Sequence, residues 1–295
     1  METIFDSDLI RHRRLRALRQ AEPGADFLMR RVCDDLALRL SAVERRFDRA
    51  ADLFSGSPLP AAVLADSGKA ATVVRVETDE RLLGGADGVV APPEVVPLEA
   101  ESLDLVVSLM ALHEINDLPG LLVQVRRALR PDGLLLAAFP GEGTLAELKE
   151  SLLAAEIELS GGASPRVAPF SDIRAAGGLL QRAGFALPVT DVEPLTVRYE
   201  TMFHLMRDLR GMGATSTLAA RSRRPSTRRL FSRAAEIYAE RFADPDGRIR
   251  ATFSIVWMSG WAPHESQQKP LRPGSARTSL ADALARAGNK ARGES

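Results

Sequence analysis

The sequence predicts an α/β protein built on a parallel sheet, and three features predict it. From Phe47 onward, short apolar runs alternate with segments of helical period. The run Leu103-Asp-Leu-Val-Val-Ser-Leu109 is a strong strand signal. Arg130-Pro-Asp-Gly133 then separates a helical pattern from another apolar run, Leu134 to Phe139. Strand, helix and strand in alternation call for right-handed βαβ crossovers, and hence for parallel neighbours.

The elements follow in order along the chain. Met1 to Asp8 places acids before any basic residue and lacks an apolar stretch, so it is not a secretory signal. Arg11, Arg13, Arg14, Arg16 and Arg19 surround Leu15 and Leu18 on a first helix, as a solvated face or as one turned to an acidic partner or headgroups. Phe27, Leu28, Val32, Leu36, Leu40 and Val43 approach a 3.6 period and give a second helix over 26–46. Ala50 to Ser55 reads as the first strand, ending in the turn Gly56-Ser-Pro58, with a helix from Pro60 to Leu64. Strands follow at Thr72–Val76, Gly88–Val90 and Leu103–Leu109, then a helix over Leu118–Leu129 and the fifth strand at Leu134–Phe139. Helices at Thr144–Leu159 and Asp172–Ala183 precede strands at Val189–Tyr199 and Ile249–Trp257, which bracket helical patterns at Met202–Arg210 and Leu230–Phe242. The expected organisation is an N-terminal helical segment (1–46), a sheet domain (47–262) with a helical insertion at about 200–246, and a mobile tail rich in Pro, Gly, Ser and Arg (263–295).

Composition narrows the function classes. The 295 residues are 45% hydrophobic and 26% charged, and no window approaches the ~18 consecutive apolar residues of a bilayer span. A lone cysteine, Cys33, forms neither an internal disulfide nor a thiolate zinc cluster, which fits a reducing compartment. The 39 basic and 39 acidic residues cancel, which disfavours nonspecific nucleic-acid binding. The cancellation hides a separation: residues 1–49 carry a net +2, 50–200 a net −11 and 201–295 a net +9. Arg221, Arg223, Arg224, Arg228, Arg229 and Arg233 form a basic run with only Phe231 nearby to stack a base, so it reads as a solvated loop or as a contact for an acidic protein surface.

The layout of strands, and above all Leu103 to Pro119 continued by Leu122–Leu129 and Arg130-Pro-Asp-Gly-Leu-Leu-Leu136, resembles the Rossmann-like, seven-stranded class I S-adenosylmethionine-dependent methyltransferases, including the malonyl-carrier-protein enzymes of biotin synthesis. Further stretches are similar to the complex I assembly factor 5 family and its bacterial relatives. They are Ile4-Phe-Asp-Ser-Asp-Leu9, Gly162-Ala-Ser-Pro165 with Pro169-Phe170, Met202 to Gly213, and His264-Glu-Ser-Gln267 with Arg272-Pro-Gly-Ser-Ala276. That resemblance implies modification, by methylation or hydroxylation, of an arginine on an iron–sulfur subunit during assembly of respiratory complex I. It places the chain in a bacterial cytoplasm or a mitochondrial matrix, with no integral membrane segment.

The resemblance also implies site residues. The acid and glycine of the turn after the first strand match Asp52 and Gly56, and the ribose-binding acid after the second strand matches Glu77. Glu94 is a displaced substitute for the acid that meets the adenine, and Ser108 ends the fourth strand beside the same site. His113 follows that strand and is the candidate for binding or proton transfer, against the alternative of a structural hydrogen bond. Three positions depart from the pattern. Phe54 and Pro58 stand where glycines are expected and Pro92 where an aspartate is, so Phe54 is expected to compete for cofactor space. Glu114 replaces an aromatic residue beside His113. The spacing of the four histidines suggests no metal site. Three readings stay open: an arginine-modifying enzyme that binds S-adenosylmethionine, a methyltransferase-fold assembly protein that has lost its cofactor, and an enzyme methylating a carrier-bound acyl group or small molecule.

Overall fold

The computed structural model describes residues 3–162, 164–170 and 172–268. Helices α1 (Ser7–Gln20) and α2 (Phe27–Ala42) lead into an alternating series: β1 (Phe47–Leu53), α3 (Leu59–Asp66), β2 (Ala70–Glu77), α4 (Glu80–Leu83), β3 (Gly88–Val90), β4 (Leu103–Leu109), α5 (Leu118–Ala128) and β5 (Leu129–Pro140). A single 3₁₀ turn, Leu112–Glu114, follows β4. Then come α6 (Ala146–Ser160), α7 (Ile173–Arg182), β6 (Ala186–Tyr199), α8 (Met202–Gly211), α9 (Arg228–Phe242) and β7 (Ile249–Trp261).

The seven strands form one sheet in the order β3-β2-β1-β4-β5-β7-β6. Strands β1 to β5 are parallel, and β7 inserts antiparallel to both β5 and β6. The chain runs outward from β1 through β2 to β3 and returns to β4 on the other side of β1. A crevice therefore opens at the carboxyl ends of β1 and β4, where such folds place ligands. Alternation along the central strands divides the core. Leu105, Val107 and Leu109 point to α2, α6, α8 and α9, while Val106 faces α5 and α7.

Local chemistry sets several boundaries. Asp6, Asp117, Asp172 and Thr227 each cap a helix, accepting from the N–H of Leu9, Gly120, Ala175 and Leu230 respectively. Gly120 is required at its position because a Cβ there would lie 2.2 Å from the capping carboxylate of Asp117. Helix α2 stops at Ala42, short of the expected 46, since Val43 is already extended. The fifth strand differs most from expectation. It begins at Leu129, because Arg130-Pro-Asp-Gly133 forms a bulge between the Leu103–Leu129 and Leu105–Leu134 pairs. Asp132 adopts φ +64° there, and Ala262, just beyond β7, bonds both Asp132 N–H and Gly133 O.

Some charges pair across the acidic and basic segments of the sequence. Arg233 binds Glu158, Glu236 and Glu240, Arg241 binds Glu150, and Arg198 of the acidic stretch binds Asp244 and Asp246. Arg221 binds Asp6, whereas Arg223, Arg224, Arg228 and Arg229 are exposed. No helix among the described residues is long and apolar enough to cross a membrane. The expected tail from 263 onward lies, beyond residue 268, outside the described residues.

Asp117→Ala is expected to cost about 1 kcal/mol of stability, the worth of one N-cap at the start of α5. Denaturant unfolding checks this, and an unchanged midpoint would mean that water replaces the cap without loss.

Candidate functional site

The site is built on the turn that ends β1. Phe54 takes φ +59° and Gly56 φ +67°, so the backbone reverses sharply at a position where a side chain with a Cβ is strained by about 1–2 kcal/mol. Phe54 N–H donates to Val76 O at 2.8 Å, and its ring is buried with Val76, Ala91 and Val96. Instead of filling the space above Gly56, the ring forms part of the wall of a neighbouring cavity. Pro58 stands at the start of α3, where the missing N–H leaves no helical bond unmade.

What secures this turn is a buried group of charges. Arg75 is 4% exposed and projects from β2 on the same side as Glu77, two residues on. Its Nη2 donates to Glu77 Oε1 (3.0 Å) and Ser57 O (3.0 Å), its Nη1 to Leu83 O (3.0 Å), and its Nε lies 3.5 Å from Asp52 Oδ2. Glu77 Oε1 also accepts from Gly56 N–H at 2.8 Å. Ser55 Oγ donates to Asp52 Oδ1 at 2.5 Å and accepts from Leu109 N–H at 3.0 Å, joining the turn to β4. Burial pushes the Asp52 carboxyl up to about 7, with the Ser55 hydrogen bond and Arg75 opposing and the Glu77 charge adding. Burial likewise raises Glu77, against Arg14, the Gly56 N–H and Arg75.

Two cavities open above the turn. The larger, about 840 Å³, reaches from Ser55, Gly56, Met110 and His113 to apolar side chains including Leu28, Met206 and Phe253. The smaller, about 380 Å³, is walled by Phe54, Ala91, Pro92, Ala111 and Ile115, with Ile10 of α1 closing it. The Thr78 hydroxyl is buried there without a partner. The lining is mostly apolar, with Asp8, Arg11, Arg14 and Glu114 also in it, and with the orphaned hydroxyl it fits a flat heteroaromatic base carrying polar groups, so the residues present suit a nucleoside-bearing cofactor. Arg14 and Glu114, ion-paired at 3.2 Å, border both cavities.

His113 sits in the 3₁₀ turn at the edge of the larger cavity. Its ring lies 6.1 Å from that of Phe170, and its Nδ1 is buried with no partner. Burial lowers its pKa to about 4, with Glu114 opposing and Arg14 adding, so the imidazole is neutral at physiological pH. Of the other residues expected at the site, Asp52, Gly56 and Glu77 come together in the turn, but only Gly56 lines a cavity: Asp52 and Glu77 are fully buried, and Glu77, expected to meet the ribose, accepts from Gly56 N–H and Arg75 instead. Glu94 and Ser108 border neither cavity: Gln124 Nε2 donates to Glu94 O, and Ser108 Oγ donates to Leu53 O inside the sheet. Among the described residues no cluster of three or more His, Cys, Asp or Glu is placed to hold a metal ion.

Sequence reasoning missed Arg75, Arg14 and Asn116. Arg75 left a signal, a charge in an apolar strand at even spacing from Glu77. Arg14 and Asn116 left none, because their partners are remote in sequence. Asn116 Oδ1 accepts from Ile4 and Phe5 N–H, and its Nδ2 donates to Phe5 O. Phe5 also forms an antiparallel bridge with Leu218, so the N-terminal segment and the loop after α8 close together over the carboxyl edge of the sheet.

Residues 52–137 match a family model described as a methyltransferase domain. The chain is similar to "Arginine-hydroxylase NDUFAF5, mitochondrial" of Homo sapiens, with 38% identity over 95% of this chain and 83% of that protein. Proteins of the same name from Dictyostelium discoideum and Danio rerio are 46% and 42% identical, over 61% and 67% of this chain. The match spans 41% and 61% of the length of those two relatives. The "Malonyl-[acyl-carrier protein] O-methyltransferase" of Laribacter hongkongensis is 33% identical over 85% of this chain and 88% of its own length. Among solved structures, a Bacillus halodurans protein described as a candidate methyltransferase aligns with TM-score 0.55 at 16% identity, covering 78% of this chain and 98% of that one, which shows a shared fold.

The raised Asp52 carboxyl sets a sign for stability against pH. The folded protein keeps a proton that the unfolded chain releases near pH 4, so this group's contribution falls as pH rises from about 4 to about 7. Asp52→Asn removes that dependence. Thermal unfolding of variant and wild type should show the balance moving toward the variant between pH 5 and pH 8, and a constant difference would refute the assignment.

Proposed function

The chain belongs to the arginine-hydroxylase NDUFAF5 family, and on that premise we propose that it modifies an arginine side chain of a protein substrate, using S-adenosylmethionine, during assembly of respiratory complex I. The observation that carries this reading is the family relationship along 95% of the chain. The substrate would be an iron–sulfur subunit of the complex, and the compartment a bacterial cytoplasm or a mitochondrial matrix. With S-adenosylmethionine alone the modification is methyl transfer, in which an N–CH3 bond forms on the guanidino group as the S–CH3 bond breaks and the nitrogen loses a proton, leaving S-adenosylhomocysteine; an added oxygen, as the relatives' name implies, would need dioxygen and a two-electron reductant besides.

The two cavities supply places for the reactants. In the smaller, Phe54, Ala91, Pro92 and Ile115 would hold the base of the cofactor, and Thr78 Oγ1, which has no hydrogen-bond partner in the protein, would be its polar contact. Glu77 acts from beneath, holding the Gly56 N–H and so the shape of the turn. The bound cofactor supplies an electrophilic methyl group on a cationic sulfur. The larger cavity admits the substrate side chain beside His113. The neutral His113 imidazole, with its unpartnered Nδ1, is a candidate hydrogen-bond acceptor toward that side chain, and because burial disfavours the imidazolium it does not hold a released proton at neutral pH.

A second reading rests on the acyl-carrier relative, since the larger cavity also has apolar walls suited to an acyl chain. Calorimetry with S-adenosylmethionine separates the possibilities when paired with intact-mass measurement of an arginine peptide and of malonyl carrier protein. Micromolar cofactor binding is expected, weakened by up to about tenfold in Thr78→Val, the worth of one hydrogen bond. The arginine peptide should gain mass. No binding at millimolar cofactor and no product would leave a non-catalytic assembly protein, and product on the carrier protein alone would establish the second reading.

A further inference from the structure

Arg14 is placed with more constraint than a surface arginine of a covering helix requires. Gly213, at φ +76°, lies so close to α1 that a Cβ there would stand 3.2 Å from Arg14 Cα, so the helix backbone is pressed against the end of α8. The same stretch is tied down by the bond from Arg13 to Ser216 O and from Asp6 N–H to Thr217 O. Held in this way, the Arg14 side chain crosses above the turn, with Cδ and Nη1 3.6 Å from where a Gly56 Cβ would stand.

Its two terminal nitrogens reach two different acceptors. Nη1 donates to Phe54 O at 2.8 Å, and Nη2 donates to Glu114 Oε2 at 3.2 Å. The other carboxylate oxygen, Oε1, is fixed by the Thr217 hydroxyl at 3.0 Å. Both side chains of the ion pair are 13% exposed. A carbonyl and a carboxylate spread to meet both ends of one planar fork match a guanidinium, whereas an ammonium is a single point of charge. The positive φ of Phe54 matters here, because it turns that carbonyl toward Arg14 while the ring goes to the core. The paired groups stand where the two cavities meet, beside His113.

We propose that Glu114 and the Phe54 carbonyl form the recognition site for the guanidinium of the substrate, and that Arg14 fills this site in the resting protein as a tethered stand-in. The proposal rests on the reading that arginine is the substrate. Glu114 is then a specificity-determining residue, Thr217 positions it, and entry of a substrate arginine requires Arg14 to withdraw. Because a tethered group competes at an effective concentration in the millimolar range, the wild-type protein should bind a free arginine weakly.

The test uses the full chain with calorimetry on three probes: acetyl-Gly-Arg-Gly-amide, its lysine counterpart and S-adenosylhomocysteine. Arg14→Ala should bind the arginine tripeptide about tenfold or more tighter than wild type does, and equally more tightly than it binds the lysine tripeptide. Adding Glu114→Gln should abolish the gain. Arg14→Met, which keeps the apolar stem, gives the same comparison if the alanine variant does not melt cooperatively. If neither variant folds, Arg14 is a structural strut and the proposal fails. It fails also if the variants bind arginine and lysine alike, or if only the nucleoside ligand binds more tightly, which would assign the cation site to the cofactor. Arginine selectivity without product would keep the site and remove the reaction, whereas product without selectivity would do the reverse.

Discussion

The architecture of the site depends on one buried ionic arrangement, Asp52, Arg75 and Glu77, beneath the turn that follows β1. Two carboxylates and one guanidinium are held where water cannot screen them, and such a group is tolerable only when nearly every polar atom has a partner. Here Arg75 reaches Glu77, Ser57 O and Leu83 O, and Glu77 reaches the Gly56 N–H. The partners belong to the loops after β1 and β2. Satisfying the buried charges therefore fixes the relative positions of those loops, and with them the floor of both cavities. The satisfaction is incomplete: Asp52 Oδ2 and Arg75 Nε face each other at 3.5 Å as an ion pair without a hydrogen bond, and Glu77 Oε2 has no hydrogen-bond partner. Burial raises both carboxyl groups.

A second layer lies over this floor. The N-terminal segment is held at Asn116 and along the Phe5–Leu218 bridge, and α1 carries Arg14 across the turn to Glu114. These contacts join residues near the N-terminus, the loop after β4 and the loop after α8. The three come together because the parallel sheet brings the carboxyl ends of β1 and β4 side by side, and the helical insertion returns over the same edge. Floor and cover thus depend on different parts of the chain. The floor is set within one βαβ unit, and the cover by contacts spanning up to about two hundred residues.

Charge illustrates how position in sequence and position in space diverge. The sequence has an acidic middle and a basic final third. Two arginines of the basic third, Arg233 and Arg241, pair with Glu158 and Glu150 of the acidic middle, whereas Arg221 pairs with Asp6 and Arg198, within the acidic stretch, with Asp244 and Asp246. Exposed pairs of this kind contribute about 0–1 kcal/mol each. Of the basic run, Arg223, Arg224, Arg228 and Arg229 are exposed.

The sequence by itself determined the α/β class, the seven strands and the place of the turn at Gly56, because these follow from interactions within a few residues: periodicity, capping and the conformational freedom of glycine. Asp52, Glu77 and His113 were offered as site residues because each lies at or just beyond the end of a strand that was already legible. Only the tertiary structure decided what these residues do. Phe54 was expected to obstruct the site, yet its ring is drawn into the core and its carbonyl is presented to Arg14. Arg130-Pro-Asp-Gly133 looked like a boundary and is a bulge kept within β5 by its pairing beside β7. Arg75 and Arg14 looked like ordinary charges. The reason is the same in every case: a side chain's partners lie wherever the fold brings an unpaired group within about 3 Å, and no local pattern records which distant segment will supply it.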